Sequence, residues 1–298
     1  MRIMYKEDPF NLLTTCNDNM NDNLKGKIVL ITGCSGGIGR ASARALAKLG
    51  CTIAVHHSSS SSKQTADTLV DEVTELGVRA KAFEADLSTY AATDNLYNQV
   101  ISELGHPDIL FSNHGATGKV IGPNGNIEDI SVEMFEDIWR VNAGTHFRLA
   151  QLCAPHMEKQ GWGRLIFTSS VAAKLTKWDT TGTGGVIGPH YASSKSALHG
   201  LVHWLSLRYC KHGVTANAIS PALIEGMAVY TEMLSFMLMG IPDTAMMANP
   251  SPEARSKIPV GRLGKPDEIA SIVVLCATNG YMTNKVIAAD GGWTSGAM

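Results

Sequence analysis

The sequence predicts a single α/β domain in which helices cover both faces of a doubly wound parallel sheet. Short apolar runs rich in β-branched residues alternate with amphipathic stretches, as strands and helices do in such a sheet. The first run leads directly into a glycine-rich turn and a helix. No linker rich in Pro, Ser or Gly interrupts the interior of the 298-residue chain, so we expect one domain over 24–298.

Composition narrows the classes of function. The net charge is −2 and no long run of like charges is present, so a small-molecule partner is expected rather than nucleic acid or a membrane. The six cysteines are scattered without a Cys-x-x-Cys pair, which favours a reducing compartment over a disulfide framework. No apolar run reaches the length of a membrane span, and residues 1–23 are polar. We therefore expect a cytoplasmic protein with a flexible N-terminal extension.

The first strand, 27–32, ends in the glycine-rich segment 33–39, and a helical pattern follows over 40–49. Glycines let the backbone approach a pyrophosphate, and the N–H groups at the start of the following helix bind its charge. An ordinary tight turn is the alternative. The residues expected to hold the phosphates are Gly33, Ser35, Gly37, Ile38 and Gly39.

Tyr191 and Lys195 are four residues apart, which predicts a phenol and an ammonium on one face of a helix. A free phenol titrates near a pH of about 10. A positive charge within about 4–6 Å lowers that pKa and turns the phenol into a usable proton donor near neutrality. Tyr281 and Lys285 have the same spacing, but no strand ending in hydroxyl groups precedes them. We interpret this second pair as structural.

The turn spacing Thr32-Gly33-x-x-x-Gly37-x-Gly39, followed downstream by Tyr191-x-x-x-Lys195, resembles that of the classical short-chain dehydrogenase/reductase family. The resemblance covers the chain from about residue 25 to the C-terminus, and its motif style is closest to the 3-oxoacyl-[acyl-carrier-protein] reductases. It implies a Rossmann-type sheet, a nicotinamide cofactor bound near Tyr191 and Lys195, and a homo-oligomer, either a dimer or a tetramer.

The second strand, 52–56, ends where an enzyme that prefers NAD would place a carboxylate for the ribose 2′-OH. His56, His57 and Ser58 stand there instead. A carboxylate would repel a 2′-phosphate, whereas imidazoles and hydroxyls accept it, so NADPH/NADP+ is predicted over NADH, with His57 and Ser58 as contacts. The serine run after Ser58 is also compatible with a solvated turn, and Gly36 replaces an arginine often present in the family.

The resemblance assigns further cofactor contacts near the next two strands. Asp86, followed by Leu87, would cap the adenine, with a local N-cap as the alternative role. The fourth strand, 109–113, leads into a segment where the family has Asn-Asn-Ala-Gly. Two positions match this pattern, Asn113 and Gly115, and two depart from it, Ser112 and His114. We expect the backbone packing around the cofactor to be kept.

Two more polar residues complete the site implied by the resemblance. Ser131 is a plausible N-cap of a long helix through residue 152, and Asn142 on this helix matches a residue that holds a water linking the active-site lysine to solvent. A buried asparagine also simply needs a hydrogen-bond partner. Ser170 ends the fifth strand, 163–170, and would bond the substrate carbonyl.

The chain departs from the family around its substrate region. The loop 171–190 contains an insertion near 174–183, so substrate identity cannot be transferred. The segment 217–226, which we expect after a sixth strand, resembles the family's Pro-Gly segment, with Pro221 against the nicotinamide and the backbone of Ile224 on its carboxamide. The Met-rich stretch within 226–258 is interpreted as a lid over an apolar or bulky substrate, with a packed core helix as the alternative.

These features predict hydride transfer from NADPH to a carbonyl carbon. Tyr191 would donate the proton, Ser170 would steady the oxygen, Lys195 would lower the pKa of Tyr191, and Asn142 would sustain the proton relay. An NAD-dependent alcohol dehydrogenase working in the oxidative direction and a non-catalytic nucleotide-binding protein remain alternatives. No metal site is predicted, since His199 and His203 have the spacing of a metal pair but no third ligand.

Overall fold

The apolar runs of the sequence form seven strands, which pair in parallel in the order β3-β2-β1-β4-β5-β6-β7. The computed structural model describes residues 24–122, 125–173, 187–226 and 258–294. The strands are β1 (Ile28–Ile31), β2 (Thr52–His57), β3 (Ala80–Glu84), β4 (Ile109–Ser112), β5 (Gly163–Thr168), β6 (Val214–Pro221) and β7 (Lys285–Ala289). The predicted doubly wound α/β fold is confirmed.

Helices connect these strands and cover both faces of the sheet. They are α1 (Gly37–Ala47), α2 (Lys63–Thr74), α3 (Tyr90–Glu103), α4 (Val132–Trp139), α5 (Thr145–Gln160), α6 (Pro189–Tyr209) and α7 (Pro266–Thr278). Helices α1, α2 and α7 pack on one face, and α3, α5 and α6 pack on the other. Pro266 occupies the first turn of α7, as the sequence predicts, because this position needs no backbone N–H donor.

Alternation along each strand divides the core into two layers. Val29 and Ile31 of β1 point toward α1, whereas Leu30 between them points toward the opposite layer. All three side chains are fully buried. Strands covered on both faces contain continuous apolar runs instead of alternating polar residues, which is why the runs are so distinct in the sequence.

The strand order reverses direction between β1 and β4. On one side of β1 lie β2 and β3, and on its other side lie β4, β5, β6 and β7. The loops that follow β1 and β4 therefore diverge and leave a crevice at the carboxyl ends of the strands. This crevice is where the residues predicted from the sequence converge.

The structure corrects two predicted elements. Ser131 caps α4 by accepting a hydrogen bond from the Met134 N–H at 3.2 Å, but one π-helical turn, Arg140–Gly144, interrupts the long predicted helix. The segment from Asn217 does not follow the sixth strand, as predicted, but belongs to it. The Asn217 amide donates to the Met282 carbonyl at 2.8 Å and accepts from the Lys285 N–H at 3.1 Å, so this polar residue is satisfied inside the sheet.

Three predicted segments lie outside the described residues. They are the N-terminal extension 1–23, the insertion near 174–183 and most of the predicted lid, 227–257. Across the part of the chain that the structure describes, no helix has both the length and the apolar character of a membrane span.

Candidate active site

A cavity of about 670 Å³ opens at the carboxyl ends of the strands, beside the point where the strand order reverses. It has the volume of a small-molecule site. The predicted site residues that line it are Gly33, Ser35, Gly37, Ile38, Ser58, Asn113, Gly115, Ser170, Tyr191, Lys195 and Pro221. The predicted residues that do not line it are Gly39, His57, Asp86, Leu87, Asn142 and Ile224. The fold thus brings most, but not all, of them to one wall.

The glycine turn has the geometry that close approach to a phosphate requires. Gly33 has a φ of +68°, a left-handed conformation that only glycine adopts without strain. A Cβ atom on Gly39 would lie 2.3 Å from the Gly33 carbonyl oxygen, so Gly39 serves the packing of α1 against the turn. The N-terminus of α1 begins at Gly37 on the cavity wall, where its N–H groups suit an anion. These residues fit a dinucleotide.

The two histidines at the end of β2 have different roles from those predicted. His56, not His57, lines the cavity. His56 Nδ1 accepts a hydrogen bond from the Gly33 N–H at 3.1 Å, and Nε2 donates to the Ala85 carbonyl at 2.9 Å. Burial lowers the pKa of His56 to about 4, so the ring is neutral. The His57 ring is buried, is hydrogen-bonded to the Ser59 carbonyl at 2.9 Å and does not line the cavity, so its contact with the cofactor stays a prediction.

Asp86 and Leu87 also differ from prediction in what their side chains do. Asp86 is exposed and accepts a hydrogen bond from the Ser88 N–H at 3.0 Å, which is a local turn. The Leu87 side chain is buried in the layer beneath α3. The cap of α3 is Thr89, whose Oγ1 accepts from the Ala92 N–H at 3.2 Å. The Asp86 side chain therefore serves its own loop, and the contact of Asp86 and Leu87 with the adenine stays a prediction.

Pro221 and Ile224 belong to the segment that leaves β6. Pro221 ends the strand and lines the cavity, whereas the Ile224 side chain is buried in the core beneath α1. The Glu225 N–H donates to the Gly264 carbonyl at 2.9 Å, and the Gly264 N–H donates to the Leu223 carbonyl at 3.0 Å. These bonds fix the backbone around Ile224 next to the cavity, so any contact of Ile224 with a ligand is through its backbone.

Tyr191 and Ser170 meet on the cavity wall. The Ser170 hydroxyl is hydrogen-bonded to the Tyr191 phenol and by itself lowers the pKa of Tyr191, but desolvation by the surrounding protein outweighs it. The net pKa of Tyr191 is therefore raised, not lowered as the sequence predicts. The lysine was expected to lower it, yet Lys195 Nζ donates to the Thr168 carbonyl at 2.9 Å instead. With its raised pKa, the phenol of Tyr191 is protonated at neutral pH.

Lys195 is buried in the wall between β5 and the loop after β4. Burial lowers its pKa to about 8, since the ammonium has little access to water. A Cβ atom on Gly115 would lie 3.0 Å from both Lys195 Nζ and Asn142 Oδ1, so a larger residue would crowd these two groups. Lys195 is the only lysine or arginine that lines the described part of the cavity.

Asn142 lies in the π-helical turn and is fully buried. Its Oδ1 accepts from the Ala116 N–H at 2.8 Å, and its Nδ2 donates to the Ala116 carbonyl at 2.8 Å and to Ser194 Oγ at 3.0 Å. The side chain thus fastens the loop after β4 to the helices beneath it. Asn142 lies behind the wall and reaches the cavity through Ala116 and Gly115, which line it.

The sequence contains two further residue pairs with the spacing of a functional site, Tyr281 with Lys285 and His199 with His203. Tyr281 is 99% exposed and lines no part of the cavity, which agrees with its interpretation as structural. His199 Nε2 is 2.9 Å from Ser169 Oγ, whereas His203 Nδ1 is 3.3 Å from Asn284 Oδ1. The two histidines therefore face different partners.

The contacts of His114, a residue of the cavity wall, were not predicted from the sequence. In the sequence His114 is only a departure from the family motif, but the ring bonds Thr32 Oγ1 at 2.8 Å and Thr145 Oγ1 at 2.9 Å. A second histidine, His146, stacks on it with ring centroids 4.1 Å apart. The available signal was a large polar residue at a position where the family motif has alanine. Its stacking partner His146, 32 positions away, could not be identified from the sequence.

Comparisons with known proteins agree with this geometry. The family model described as short chain dehydrogenase matches residues 27–234. An L-rhamnose 1-dehydrogenase (NADP(+)) of Thermoplasma acidophilum is 32% identical over 273 residues, covering 91% of this chain and 97% of the relative. A cyclohexanol dehydrogenase of a Rhodococcus species is 29% identical over 290 residues, and the match covers 92% of this chain and 99% of the relative.

Among solved structures, a blue fluorescent protein from a metagenomic library in complex with NADPH superposes with a TM-score of 0.74. It is 31% identical and covers 92% of this chain and 100% of its own. The family model covers more than half of the chain, and the relatives match it nearly end to end. The chain therefore belongs to the short chain dehydrogenase family.

Proposed function

We propose that this protein is an NADP(H)-dependent oxidoreductase that interconverts an apolar ketone and the corresponding secondary alcohol. The observation that carries the proposal is the convergence of Ser170, Tyr191 and Lys195 on one cavity wall whose other end is the glycine turn. A non-catalytic nucleotide-binding protein would not need a protonated phenol bonded to a serine hydroxyl at this place.

The side chains present can perform the proton part of the reaction. A bound nicotinamide supplies or accepts the hydride. Tyr191 donates its proton to the carbonyl oxygen as the alkoxide develops, and the Ser170 hydroxyl holds the same oxygen. Lys195 lies on the same wall with its Nζ bonded to the Thr168 carbonyl, where it can hold the ribose of the bound cofactor. In the oxidative direction the same groups accept the proton.

The wall also supports the choice of cofactor. The backbone of the glycine turn would hold the pyrophosphate, and Ser58 lies exposed on the wall just after β2. No carboxylate lines the described part of the cavity, so nothing there repels a 2′-phosphate. The name of the Thermoplasma relative includes NADP(+), and the metagenomic neighbour was solved with NADPH. These observations support NADPH, with NADH as the weaker alternative.

Substituting Ser58→Asp should weaken NADPH binding by at least about tenfold and leave NADH binding unchanged or tighter. A carboxylate near the 2′-phosphate adds a repulsion of about 1–4 kcal/mol at contact distance. The measurement is the dissociation constant of each cofactor by fluorescence titration. Ser60→Asp is the matched control, because Ser60 is an exposed serine two positions along that does not line the cavity. Equal losses for both cofactors would contradict the proposal.

The substrate end of the cavity is apolar. Ala116, Val171, Ile187 and Leu223 line it, and apart from Lys195 no lysine, arginine or carboxylate does so in the described ranges. A neutral, apolar carbonyl compound suits this wall better than an acid or a sugar. A 3-oxoacyl thioester remains a candidate from the sequence, and cyclohexanol and L-rhamnose come from the names of relatives.

Initial rates test the function. NADPH and NADH oxidation would be followed with a short 3-oxoacyl thioester and with cyclohexanone, and NADP+ or NAD+ reduction with cyclohexanol and L-rhamnose. Turnover of a ketone with a preference for NADPH supports the proposal. Turnover of L-rhamnose alone would replace the apolar substrate with a sugar, and tight NADPH binding without any turnover would favour a non-catalytic role.

We also propose that the chain forms a homo-oligomer through α4 and α5. Val132, Phe135 and Phe147 on these helices are 69%, 38% and 50% exposed, which is unusual for large apolar side chains. Light scattering on the purified protein should give a mass of two or four 31.8 kDa chains. Phe147→Glu should shift that mass toward a single chain. A monomeric wild-type protein would contradict this part of the proposal.

A further inference from the structure

His114 and His146 form a buried pair behind the cavity wall. Their rings stack with centroids 4.1 Å apart and planes 11° from parallel. His146 is fully buried, and His114 is 8% exposed where it touches the cavity. His146 Nε2 donates to the His114 carbonyl at 3.0 Å, so the second ring also fixes the backbone of the first. None of the catalytic steps above uses this pair.

The hydrogen bonds of His114 define one tautomer. Thr32 Oγ1 already accepts bonds from the backbone N–H groups of Asn113 at 2.8 Å and His114 at 3.1 Å, so its proton is donated to His114 Nδ1. Thr145 Oγ1 donates to the Val141 carbonyl at 3.0 Å, so it accepts the proton of His114 Nε2. Both hydroxyls are satisfied only by a neutral ring protonated at Nε2.

The ring therefore joins two parts of the site. Thr32 immediately precedes Gly33 of the glycine turn, and Thr145 immediately follows the π-helical turn that carries Asn142. Asn142 in turn binds both backbone groups of Ala116, two residues after His114. The bonds of His114 and of Ala116 thus lie on either side of Gly115, where a Cβ atom would be 3.0 Å from Lys195 Nζ.

We propose that His114, supported by His146, is a positioning residue. It fixes the positions of Lys195 and of the π-helical turn that carries Asn142 relative to the glycine turn. Burial lowers the pKa values of both rings well below the usual range for histidine, so the neutral form that these bonds require persists at physiological pH. This inference rests on the proposed function for its kinetic consequence, but its structural consequence is measurable without substrate.

Two substitutions, each of which replaces one ring nitrogen by an amide group, test the hydrogen bonds of His114 to Thr32 and to Thr145 separately. The side-chain amide of asparagine occupies the place of a histidine Nδ1, and that of glutamine reaches the place of Nε2. His114→Asn keeps an acceptor for Thr32 and loses the bond to Thr145, so kcat should fall by about tenfold or more while the NADPH dissociation constant changes less than about threefold. His114→Gln keeps the bond to Thr145, so kcat should stay within about threefold and NADPH binding should weaken instead.

The matched control is His106→Asn. His106 stacks on His156 with centroids 4.1 Å apart and planes 12° from parallel, and it bonds the Tyr97 hydroxyl at 3.1 Å. It is exposed and lines no part of the cavity. Its loss should leave kcat, KM and cofactor affinity at wild-type values. Cyclohexanone and the short 3-oxoacyl thioester, each with NADPH, are the kinetic probes.

Amide hydrogen exchange of the ligand-free protein gives a readout that needs no turnover. The Ala116 N–H donates to Asn142 Oδ1, so its protection reports the position of Asn142 directly. In His114→Asn this amide should lose at least about tenfold of its protection, while β7 amides keep theirs. Protection unchanged from wild type would overturn the proposal whether or not the enzyme turns over either ketone.

The pattern of kinetic results distinguishes the remaining outcomes. A drop in kcat for His114→Asn with retained kcat in His114→Gln supports a positioning role. Equal losses of kcat and cofactor affinity in both variants, together with a lowered melting temperature, would mean a merely structural role and overturn it. Wild-type protein that reduces neither ketone would count against the proposed function, and the exchange result would then decide the role of His114.

Discussion

In the Tyr191→Phe variant kcat falls by about 10²–10⁴-fold, while the affinity for NADPH changes by less than about threefold. The substitution removes only the hydroxyl that lies on the cavity wall beside Ser170. Without it, the described part of the wall offers no other phenol or carboxyl group to the developing alkoxide, whereas the glycine turn proposed to hold the pyrophosphate is unchanged. The measurement is steady-state turnover of the best ketone in parallel with a cofactor titration.

Tyr281→Phe supplies the control for this result. Tyr281 has the same spacing to a lysine, but its side chain is 99% exposed and lines no part of the cavity. We expect its kcat to equal that of the wild type. Near-normal turnover in Tyr191→Phe would remove the tyrosine from its role as proton donor and with it the proposed mechanism.

Stability should fall steeply in mild acid. His56, His114 and His146 are buried and neutral, and burial lowers the pKa of each, to about 4 for His56. In the unfolded chain these rings titrate near a pH of about 6.5, so below that pH the unfolded state binds protons that the folded state does not. Each ring then removes up to about 1.4 kcal/mol of unfolding free energy per pH unit. Above a pH of about 7.5, one unit beyond the pKa in the unfolded chain, the three rings are neutral in both states and contribute no pH dependence.

Three such rings give a loss of about 5 kcal/mol between pH 7 and pH 5, a large part of the stability of a typical domain. Urea unfolding of the ligand-free protein at half-unit pH steps measures it. His146→Phe should reduce the slope by about one proton, because it removes one of the three rings, whatever it does to stability at pH 7. A flat profile from pH 7 to pH 5 would contradict the neutral state of the three rings.

The fold could be predicted almost completely from the sequence. Strands buried on both faces leave runs such as Ile28–Ile31, and the glycine turn after that run specifies a strand, a turn and a helix in order. The pairing of Tyr191 with Lys195 followed from helical spacing, a local property, whereas Ser170 was assigned by the family resemblance at the end of a predicted strand. Local patterns therefore determined the elements and the pairing of Tyr191 with Lys195.

What could not be predicted depends on contacts between distant segments. The raised pKa of Tyr191 follows from burial, and Lys195 turns to the Thr168 carbonyl; a spacing of four residues reveals neither. The choice between His56 and His57 at the wall depends on which face of β2 meets the glycine turn. The break in the helix after Trp139 is also invisible in a periodic apolar pattern.

The strand order has a consequence for how the protein is made. β1 pairs with β4 and with β2, so the inner strand of the glycine turn has both neighbours once the chain has been synthesised through Ser112. Ser170, Tyr191 and Lys195 emerge from the ribosome only afterwards. Because a domain folds as a unit and α1 packs against α7 near the far end of the chain, the phosphate-binding turn and the proposed proton donor are completed together, after the last helix has left the ribosome.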